Sequence, residues 1–334
     1  MSNKIRWGVL GAAKIAVTKV IPAMQVGEFS EVVAIASRDA SKARENADKL
    51  GIARAYGSYE ELLRDPDVDA VYNPLPNHLH VPWSIKAAEA GKHCLCEKPI
   101  ALNVAELKTL IEVQERTRVV MGEAFMVRSH PQWLRTRELV RSGSIGEVHA
   151  ITGVFSYFNR DPKNVRNNAE WGGGALMDIG CYPVQIARFI LGEEPCRVSA
   201  FIDRDPEFGI DRLTSGLLEF KSAHAIFTCS TQAIARQRIE ILGEKGRIEV
   251  EIPFNAQPDR PTRIFIDRTG DLFGAGQKTE QFPVCNQYTL QGDAFSQAIL
   301  SGGEPPTPLS DSMGNMAAID ALFESARSGK AEKP

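Results

Sequence analysis

The chain has 334 residues, of which 43% are hydrophobic and 24% are charged. This composition is typical of a globular protein, and the length is long for one domain and comfortable for two. The formal net charge of -3 gives no electrostatic reason to expect nucleic acid or an anionic membrane as a partner. The sequence has neither a secretory signal pattern nor an apolar run long enough to span a bilayer. We therefore expect a two-domain protein of the cytoplasm.

The cysteines and histidines give no sign of a metal site or a disulfide framework. None of the six cysteines forms a C-x-x-C pair or a Cys/His cluster with zinc spacing. Cys94 and Cys96 stand two apart in a predicted strand, where we expect them to pack. The sequence therefore favours reduced thiols, as in a cytoplasm, and no catalytic metal.

The first 122 residues alternate between strand and helix signals. Such alternation predicts right-handed crossovers and a parallel sheet that is covered on both faces. The predicted strands are Ile5–Leu10, Glu31–Ser37, Ala53–Tyr56, Ala70–Asn73, His93–Cys96 and Val119–Gly122. The predicted helices are Ile15–Val26, Ala40–Leu50, Ser58–Arg64, one that ends near Ala90, and Val104–Arg116.

After Phe125 the pattern changes to strands joined by short turns, which predicts an antiparallel sheet. Its predicted strands are Glu147–Phe155, Arg197–Ile202, Leu213–Phe220, Ala223–Cys229, Arg236–Leu242, Arg247–Glu251 and Arg263–Asp267. The predicted helices are Gln132–Ser142, Ala175–Leu191, Tyr288–Ser301 and Ser310–Ser328. We predict an α/β protein with a Rossmann dinucleotide-binding domain over 1–124 and an α+β domain for substrate and oligomerisation over 125–310. We expect the C-terminal helix, in 311–334, to pack back on the Rossmann domain.

The segment Gly8–Ala16 carries a degenerate dinucleotide-binding fingerprint. In such turns the first glycine permits a tight turn, the second lets the backbone approach the pyrophosphate, and the third lets helix and strand pack closely. Gly11, Ala13 and Ala16 occupy these places. The pyrophosphate should lie at the helix N-terminus, where backbone N–H groups favour anions. A tight turn without a ligand is the alternative, and the strand–turn–helix context at the start of the chain favours the dinucleotide.

The residues after the second predicted strand bear on the choice of dinucleotide. An acidic residue there binds the ribose 2′-OH of NAD, whereas an arginine nearby accommodates the 2′-phosphate of NADP. This chain has Ser37-Arg38-Asp39. Ser37 and Arg38 favour NADP, with NAD as the other possibility. In the alternative interpretation they are surface turn residues and Asp39 is a helix N-cap.

The tripeptide Glu97-Lys98-Pro99 ends the apolar run His93–Cys96. It puts a lysine at the carboxyl end of a parallel strand, which is where α/β proteins bind ligands. The alternative is a solvated lysine at a strand end. Together with the fingerprint, the position of Lys98 favours hydride transfer at the nicotinamide end of the dinucleotide.

The chain resembles the Gfo/Idh/MocA family of oxidoreductases, and within it the branch of glucose–fructose oxidoreductase, dimeric dihydrodiol dehydrogenase and NADP-dependent D-xylose dehydrogenase. The motifs that carry the resemblance are Gly8–Ala16, Asn73–His80, Ala90–His93, Glu97–Pro99 and Gly172–Tyr182. The resemblance implies a Rossmann domain followed by a domain with a large, mostly antiparallel open sheet. One face of that sheet commonly forms the oligomer interface, so we expect a homodimer or homotetramer.

The resemblance also implies the catalytic residues. The lysine of the Glu-Lys-Pro motif is Lys98, and the Asp-x-x-x-His/Tyr pattern is present as Asp178 and Tyr182, on one helical face. A phenol with a pKa of ~10 is a poor base near neutrality, and a nearby ammonium group would lower that pKa. We predict Tyr182 as the general acid/base, Lys98 as its electrostatic partner and carbonyl polariser, and Asp178 as an acceptor for a substrate hydroxyl. A packed tyrosine and a first-turn helix acid are the alternatives.

The further candidates surround these residues. Predicted cofactor contacts are Lys14, Ile15, Pro74, Leu75, Asn77, His80 and Glu97. Predicted substrate contacts are Arg128, Phe158, Arg160 and Trp171. We expect an NADP-dependent dehydrogenase that acts on a carbinol of a cyclic sugar or related polyol, such as an aldose oxidised to its lactone. The alternatives are a reductase of a keto- or anhydro-sugar, a trans-dihydrodiol dehydrogenase and, disfavoured by the intact Lys98, Asp178 and Tyr182, a non-catalytic dinucleotide-binding regulator.

Overall fold

The computed structural model of the protein describes residues 4–334 and divides the chain into two compact units. The first unit contains the residues up to Ser129 together with Asn286–Met313. The second contains His130–Cys285 and Gly314–Pro334. No helix among residues 4–334 combines the length and the apolar character that crossing a membrane requires.

The first unit is built on a six-stranded parallel sheet with the order β3-β2-β1-β4-β5-β6. The strands are β1 (Ile5–Leu10), β2 (Ser30–Ala36), β3 (Arg54–Tyr56), β4 (Ala70–Asn73), β5 (His93–Cys96) and β6 (Met121–Glu123). The helices are α1 (Ile21–Gln25), α2 (Ala40–Leu50), α3 (Tyr59–Leu63), α4 (His80–Glu89) and α5 (Val104–Thr117). The strand order reverses between β1 and β4, and in such sheets ligands bind at the carboxyl edge beside this point. The predicted Rossmann architecture is confirmed.

The central strand β1 is buried on both faces, as a strand of a covered parallel sheet must be. Trp7, Val9 and Leu10 are all inaccessible to solvent. A π-helical turn over Ala16–Val20 follows and leads into α1. The sequence predicted one regular helix here, because the spacing of its apolar residues does not distinguish a π turn from an α-helix.

The helix α8 (Gln287–Ser301) belongs to the first unit, which corrects the predicted domain 125–310. The indole N–H of Trp7 donates to Ser296 Oγ at 3.1 Å, and the Trp7 ring packs on Phe295 with centroids 5.5 Å apart. The Asp293 carboxylate accepts from the N–H of Phe29 at 2.9 Å. Composition could not predict this return of the chain, because the contacts join residues more than 250 positions apart.

The second unit contains an eight-stranded sheet with the order β14-β13-β12-β11-β7-β10-β9-β8. Its strands are β7 (Val148–Phe158), β8 (Arg197–Arg204), β9 (Asp211–Glu219), β10 (His224–Ser230), β11 (Gln232–Gly243), β12 (Gly246–Val250), β13 (Thr262–Asp267) and β14 (Lys278–Phe282). All neighbours are antiparallel except β7 and β10, which run parallel to each other. The mostly antiparallel sheet is confirmed, and β14 is a strand that the sequence analysis did not delimit.

Two helices of the second unit come before β8 in the chain. They are α6 (Pro131–Arg141) and α7 (Cys181–Leu191), and α7 follows a π-helical turn over Leu176–Gly180. Almost every residue of α7 is buried, so this helix is an interior element of the unit. The π turn carries Asp178 and α7 carries Tyr182, the two candidate catalytic residues of this unit.

The last helix, α9 (Leu309–Ser328), corrects the prediction that 311–334 packs back on the Rossmann domain. Its residues from Gly314 onward belong to the second unit, where Ser325 Oγ accepts from the N–H of Ala200 at 3.2 Å. Val198 and Glu332 exchange two backbone hydrogen bonds, at 2.8 and 2.9 Å. Because β8 is an edge strand, its outer N–H and C=O groups need partners, and the C-terminal segment supplies them.

Candidate active site

The turn after β1 requires glycine at its first position. Gly11 has φ of +101°, and a Cβ at this position would lie 3.1 Å from Leu75 Cδ2 and 3.5 Å from the Tyr59 hydroxyl. The N–H of Gly11 donates to the carbonyl of Ala36 at 2.8 Å. The loops after β1, β2 and β4 therefore meet around Gly11, at the switch point of the sheet.

The helix begins immediately after this turn. The Ala13 carbonyl accepts from Val17 N–H at 3.1 Å, Lys14 is exposed and Ile15 is half-buried. Ala16 is fully buried in the core of the first unit. A small residue is thus needed at Ala16 for packing, and the turn offers its backbone N–H groups to an anion. The Gly11 turn and the start of the helix after it fit the pyrophosphate of a dinucleotide.

The end of β2 presents an arginine. Ser37 is buried and its Oγ accepts from Asp39 N–H at 3.3 Å, while the Asp39 carboxylate caps α2 by accepting from Lys42 N–H at 3.2 Å. Arg38 is exposed and lies close to the hydroxyl of Tyr59. Burial raises the pKa of Tyr59, and the charge of Arg38 opposes that rise. The only acid in this turn is engaged as a helix cap, which leaves a cationic surface at the end of β2.

Lys98 follows β5 at the same carboxyl edge as Gly11. The N–H of Glu97 donates to the carbonyl of Asn73 at 3.0 Å, and Glu97 Oε1 accepts from the hydroxyl of Tyr72 at 2.6 Å. The peptide bond between Lys98 and Pro99 is cis, and Lys98 is half-buried. Glu97 was predicted to contact the cofactor, and one of its carboxylate oxygens is bound to a buried tyrosine.

His80 connects two loops of this edge. Its ring is buried, with Nδ1 2.7 Å from the carbonyl oxygen of Pro99 and Nε2 2.6 Å from that of Leu75. Burial lowers the pKa of His80 to about 4, and the two carbonyl groups act in the opposite direction. Both ring nitrogens thus contact the protein backbone, so the geometry gives His80 a part in positioning the loop of Pro99.

The other candidates of the first unit lie in short segments near the strand ends. Pro74 is buried, and Asn77 is half-buried at the start of a 3₁₀ turn. Arg128 lies in a second 3₁₀ turn, and its Nη1 is 3.4 Å from Asp311 Oδ1. Arg128 was predicted as a substrate contact, and it belongs to the first unit together with the carboxylate that it pairs with.

In the second unit, Asp178 is held by two side chains that were not predicted to contact it. Asp178 Oδ2 accepts from the hydroxyl of Tyr157 at 2.5 Å, and Asp178 Oδ1 lies 2.9 Å from Arg166 Nε. Burial and the charge of Asp178 raise the pKa of Tyr157, so this phenol stays protonated and donates. Each carboxylate oxygen can accept more than one hydrogen bond, so the arrangement fixes Asp178 without filling its capacity.

Tyr182 lies in an aromatic cluster. Its side chain is buried, with ring centroids 5.7 Å from Phe155 and 5.3 Å from Phe254. Phe155 and Phe254 themselves stack at 4.7 Å. The predicted regular helix over Ala175–Leu191 is interrupted between the two candidates, because Asp178 lies in the π turn and Tyr182 in α7. The cluster fixes the direction of the Tyr182 ring.

The predicted sugar contacts of this unit differ in exposure. Phe158 and Trp171 are 68% and 38% exposed, so both offer apolar surface. Arg160 Nη2 is 2.9 Å from Glu207 Oε2, and Arg160 Nε is 3.5 Å from Asp205 Oδ2. Two carboxylates thus balance the charge of Arg160. Within residues 4–334, no three His, Cys, Asp or Glu side chains form a group that could hold a metal ion.

Two family models match the two parts of the chain. Residues 5–125 match the oxidoreductase family with an NAD-binding Rossmann fold, and residues 133–249 match the GFO/IDH/MocA C-terminal domain. The chain belongs to the GFO/IDH/MocA family of oxidoreductases. This confirms the family, the fold class and the dinucleotide cofactor that the sequence motifs predicted.

Individual relatives agree with this membership. The chain is 50% identical to an uncharacterized oxidoreductase of Rhizobium meliloti, over 98% of each chain. It is 39% identical to an NADP-dependent D-xylose 1-dehydrogenase of Haloferax volcanii, over 97% of this chain and 98% of that protein. Among solved structures, a 3-ketoreductase from Actinomadura kijaniata in complex with NADP and TDP-benzene matches with a TM-score of 0.89 and 31% identity, over 97% of this chain and 98% of that one. The relatives with named activities thus include both a sugar dehydrogenase and a ketoreductase.

Proposed function

We propose that this protein is an NADP-dependent dehydrogenase that oxidises a carbinol of a cyclic sugar or related polyol, such as an aldose to its lactone. The observation that carries the proposal is Lys98, which follows β5 at the same sheet edge as the Gly11 turn. The similarity to the D-xylose dehydrogenase of Haloferax volcanii supports the choice of substrate class.

The residues of the first unit fit NADP. The Gly11 turn, with Ala13, Lys14 and Ile15, would hold the pyrophosphate, and Ser37 and Arg38 would hold the 2′-phosphate. An arginine fork suits phosphate because it binds two oxygens at once. Pro74, Leu75, Asn77 and Glu97 would line the nicotinamide end. When bound, NADP supplies the carbon that accepts the hydride.

The protein's own contribution is proton transfer and orientation. Tyr182 would take the proton of the reacting hydroxyl as its carbon is oxidised, and the ammonium of Lys98 would favour the phenolate and polarise the substrate oxygen. Asp178 would accept a hydrogen bond from a neighbouring substrate hydroxyl. Tyr157 and Arg166 support this role, since they hold the Asp178 carboxylate in one orientation.

The sugar itself would meet exposed apolar and cationic side chains. Trp171 offers a flat face suited to a pyranose ring, and Phe158 lies exposed at the end of β7. Arg160 and Arg128 complete the proposed contacts. Loop residues of this kind set which sugar is accepted, because they vary on a fixed scaffold.

The test is an assay of the purified protein with a panel of aldoses, inositols and dihydrodiols, each with NADP and with NAD. We expect turnover of an aldopyranose with NADP and formation of its lactone. The Tyr182→Phe variant should lose most of this turnover and keep its unfolding temperature, because only the hydroxyl is removed. Absence of turnover with the whole panel in both directions would refute the proposal, and unchanged turnover of Tyr182→Phe would refute its proton-transfer role.

A reductase of a keto- or anhydro-sugar is the second candidate, supported by the similarity to the 3-ketoreductase from Actinomadura kijaniata. The same three residues serve both directions, because Tyr182 can return a proton to the carbonyl oxygen. The panel is therefore also run with reduced cofactor and keto-sugars. A trans-dihydrodiol dehydrogenase would be recognised in the same panel by oxidation of the diols alone.

We also propose that the protein forms a homodimer or homotetramer through the open face of its second sheet, and that it works in the cytoplasm. Leu217 and Ile226 are paired on neighbouring strands and remain 38% and 50% exposed, and Phe201 on β8 is 85% exposed. A contiguous apolar patch on a sheet favours a partner over water. Light scattering at micromolar concentration tests the oligomeric state, since a monomer mass near 36.7 kDa would contradict the proposed interface.

The state of the cysteines supports the proposed cytoplasmic location. All six are free, in keeping with a reducing compartment.

A further inference from the structure

The second unit contains a buried carboxylate to which the proposed mechanism gives no role. Asp211 begins β9 and is 2% exposed. Its Oδ2 accepts from the backbone N–H of Leu176 at 2.6 Å and from the hydroxyl of Thr214 at 2.9 Å. Leu176 is the first residue of the π turn that contains Asp178. The carboxylate is thus bound to the start of the helical segment that carries Asp178 and Tyr182.

The glycine run before this helix is shaped around Asp211. Gly174 has φ of +117°, and a Cβ at this position would overlap Asp211 Oδ1. At Gly173 a Cβ would overlap the backbone carbonyl of Arg166, so this glycine lets the loop of Arg166 approach. A side chain at Gly174 would therefore displace the Asp211 carboxylate from the helix start.

Stability alone does not account for a carboxylate at this place. Burial raises the pKa of Asp211 to about 6, while Leu176, Thr214 and the charge of Arg204 act to lower it. Because the pKa in the folded protein lies above its ordinary value, folding stability decreases as the pH rises from about 4 to about 6. Near neutral pH the ionised side chain therefore opposes folding, which is the expected cost of a functional group.

The charged and titratable groups around Asp211 come from three elements. Arg204 faces it from β8, and its charge favours the carboxylate. Cys229 faces it from β10, and burial raises the pKa of this thiol well above 9, so it stays neutral. Asp178 lies on the helical segment itself, with its own carboxylate bound by Tyr157 and Arg166. Of Asp211 and Cys229, it is the carboxylate whose charge changes near pH 6.

We propose that Asp211 is a positioning residue whose ionised carboxylate holds the start of the helix that carries Asp178 and Tyr182. A negative charge interacts favourably with a helix N-terminus, and a neutral acid or amide interacts less. While the side chain stays buried, loss of the charge weakens its hydrogen bond from the N–H of Leu176 and so loosens the segment that fixes the proton-transfer residue. The inference rests on the proposed function, since it assigns those two residues to the reaction.

The first test compares the pH dependence of kcat/KM in the wild type and in Asp211→Asn between pH 5 and 8. We expect the wild-type activity to rise through a step near pH 6, and Asp211→Asn to lack the step and to stay at the level of the wild type at pH 5. The Kd for NADP should be unchanged, because the cofactor residues belong to the first unit. If Asp211 acted only on stability, the pH profiles of kcat/KM for the wild type and Asp211→Asn would run parallel. Parallel profiles would overturn the proposal.

The matched control is Asp267→Asn. Asp267 is also a buried carboxylate of the second unit, and its Oδ1 accepts from the N–H and hydroxyl of Thr269 at 2.8 and 2.7 Å. These hydrogen bonds hold the pKa of Asp267 below its ordinary value, so its charge does not change near pH 6. Asp267→Asn should therefore keep the step, and loss of the step in this control would overturn the assignment to Asp211.

A second variant keeps the carboxylate and changes its environment. Thr214→Val removes the hydroxyl that lowers the pKa of Asp211, so the step should move to higher pH. If Asp211→Asn does not fold, Thr214→Val still tests the proposal. An activity step that stays near pH 6 in Thr214→Val contradicts the role of Asp211.

Hydrogen–deuterium exchange gives a readout that does not need turnover. Peptides that cover Leu176 should exchange faster in Asp211→Asn than in the wild type at the same pH. In Asp267→Asn they should exchange at the wild-type rate. Equally slow exchange of these peptides in the wild type, Asp211→Asn and Asp267→Asn would refute the proposal that Asp211 holds the start of the helix. A wild type that turns over no substrate refutes the proposed function, while exchange still decides whether Asp211 anchors the helix.

Discussion

The cofactor region of the first unit and the Asp178 region of the second are built in different ways. At the first, the protein uses backbone: a positive φ at Gly11, a helix start at Ala13 and loops that follow adjacent parallel strands. At the second, side chains from separate elements converge on Asp178, with Tyr157 at the end of β7 and Arg166 in a loop. A backbone site depends on local geometry, whereas a side-chain network depends on every element that contributes to it.

This difference implies different responses to mutation. Substitutions of the side chains beside the backbone site, such as Ser37, Arg38 and Tyr59, should leave the Gly11 turn intact and change which cofactor it accepts. Substitutions in the network should leave cofactor binding intact and change turnover. Variants of both kinds test this division.

Lys98→Ala should lower kcat by roughly 10²–10⁴, the usual range for a positioned group in proton transfer. The protein should remain folded and bind NADP, since the Gly11 turn and the end of β2 are unchanged. Steady-state kinetics and a fluorescence titration with NADP measure the two properties. Lys86→Ala is the control, because Lys86 pairs with Glu60 on the surface at 2.9 Å. Near-normal kcat in Lys98→Ala would remove this residue from the mechanism.

Tyr157→Phe should lower kcat/KM by roughly 10- to 100-fold, because a hydrogen bond to a charged group contributes about 1.5–3 kcal/mol. The removed hydroxyl donates to Asp178 Oδ2 at 2.5 Å. Arg166→Gln should act in the same direction through Asp178 Oδ1. In both variants the Kd for NADP should not change.

The control for these network variants is Arg197→Gln. Arg197 forms an exposed ion pair with Glu219 on β8 and β9, at 2.6 Å, and surface pairs contribute little. If Arg197→Gln lowers kcat/KM as much as Arg166→Gln does, the network around Asp178 has no special role. Full activity of Tyr157→Phe would lead to the same conclusion.

Ser37→Asp combined with Arg38→Ala should shift the preference from NADP to NAD by about 10- to 100-fold in kcat/KM, again from the loss of charge-assisted hydrogen bonds. The new carboxylate would accept from the ribose 2′-OH and repel a 2′-phosphate. The ratio of kcat/KM for the two cofactors, before and after the change, measures the shift. A wild type that already prefers NAD would show that our interpretation of Ser37 and Arg38 is wrong.

Tyr59→Phe should weaken NADP binding by about 3- to 10-fold and leave NAD binding unchanged, as expected for one hydrogen bond. The Tyr59 hydroxyl lies close to Arg38 and to Gly11, so its loss should remove a polar group that helps to orient the guanidinium. Tyr56→Phe is the matched control, because the Tyr56 hydroxyl donates to Asp65 at 2.8 Å. Equal effects of the two variants on both cofactors would mean that Tyr59 acts only on stability.

The sequence by itself determined the sheet of the first unit and its dinucleotide cofactor. Alternating patterns predicted all six strands of the Rossmann sheet, because most of them are buried on both faces and are therefore short apolar runs that their own residues define. The Gly11 turn and Lys98 follow two of these strands directly, so locating the strands also located the residues. Asp178 and Tyr182 were found by their family pattern, which does not depend on distant contacts.

Only the tertiary structure decided which parts of the chain come together. The return of α8 to Trp7, the attachment of the C-terminal segment to the edge of β8, and the π turn that contains Asp178 were not predictable. The same holds for Tyr157, Arg166 and Asp211, which are ordinary strand and loop residues in the sequence. They make these contacts because side chains far apart along the chain meet in a buried place, where each charge and each hydrogen-bond donor must find a partner.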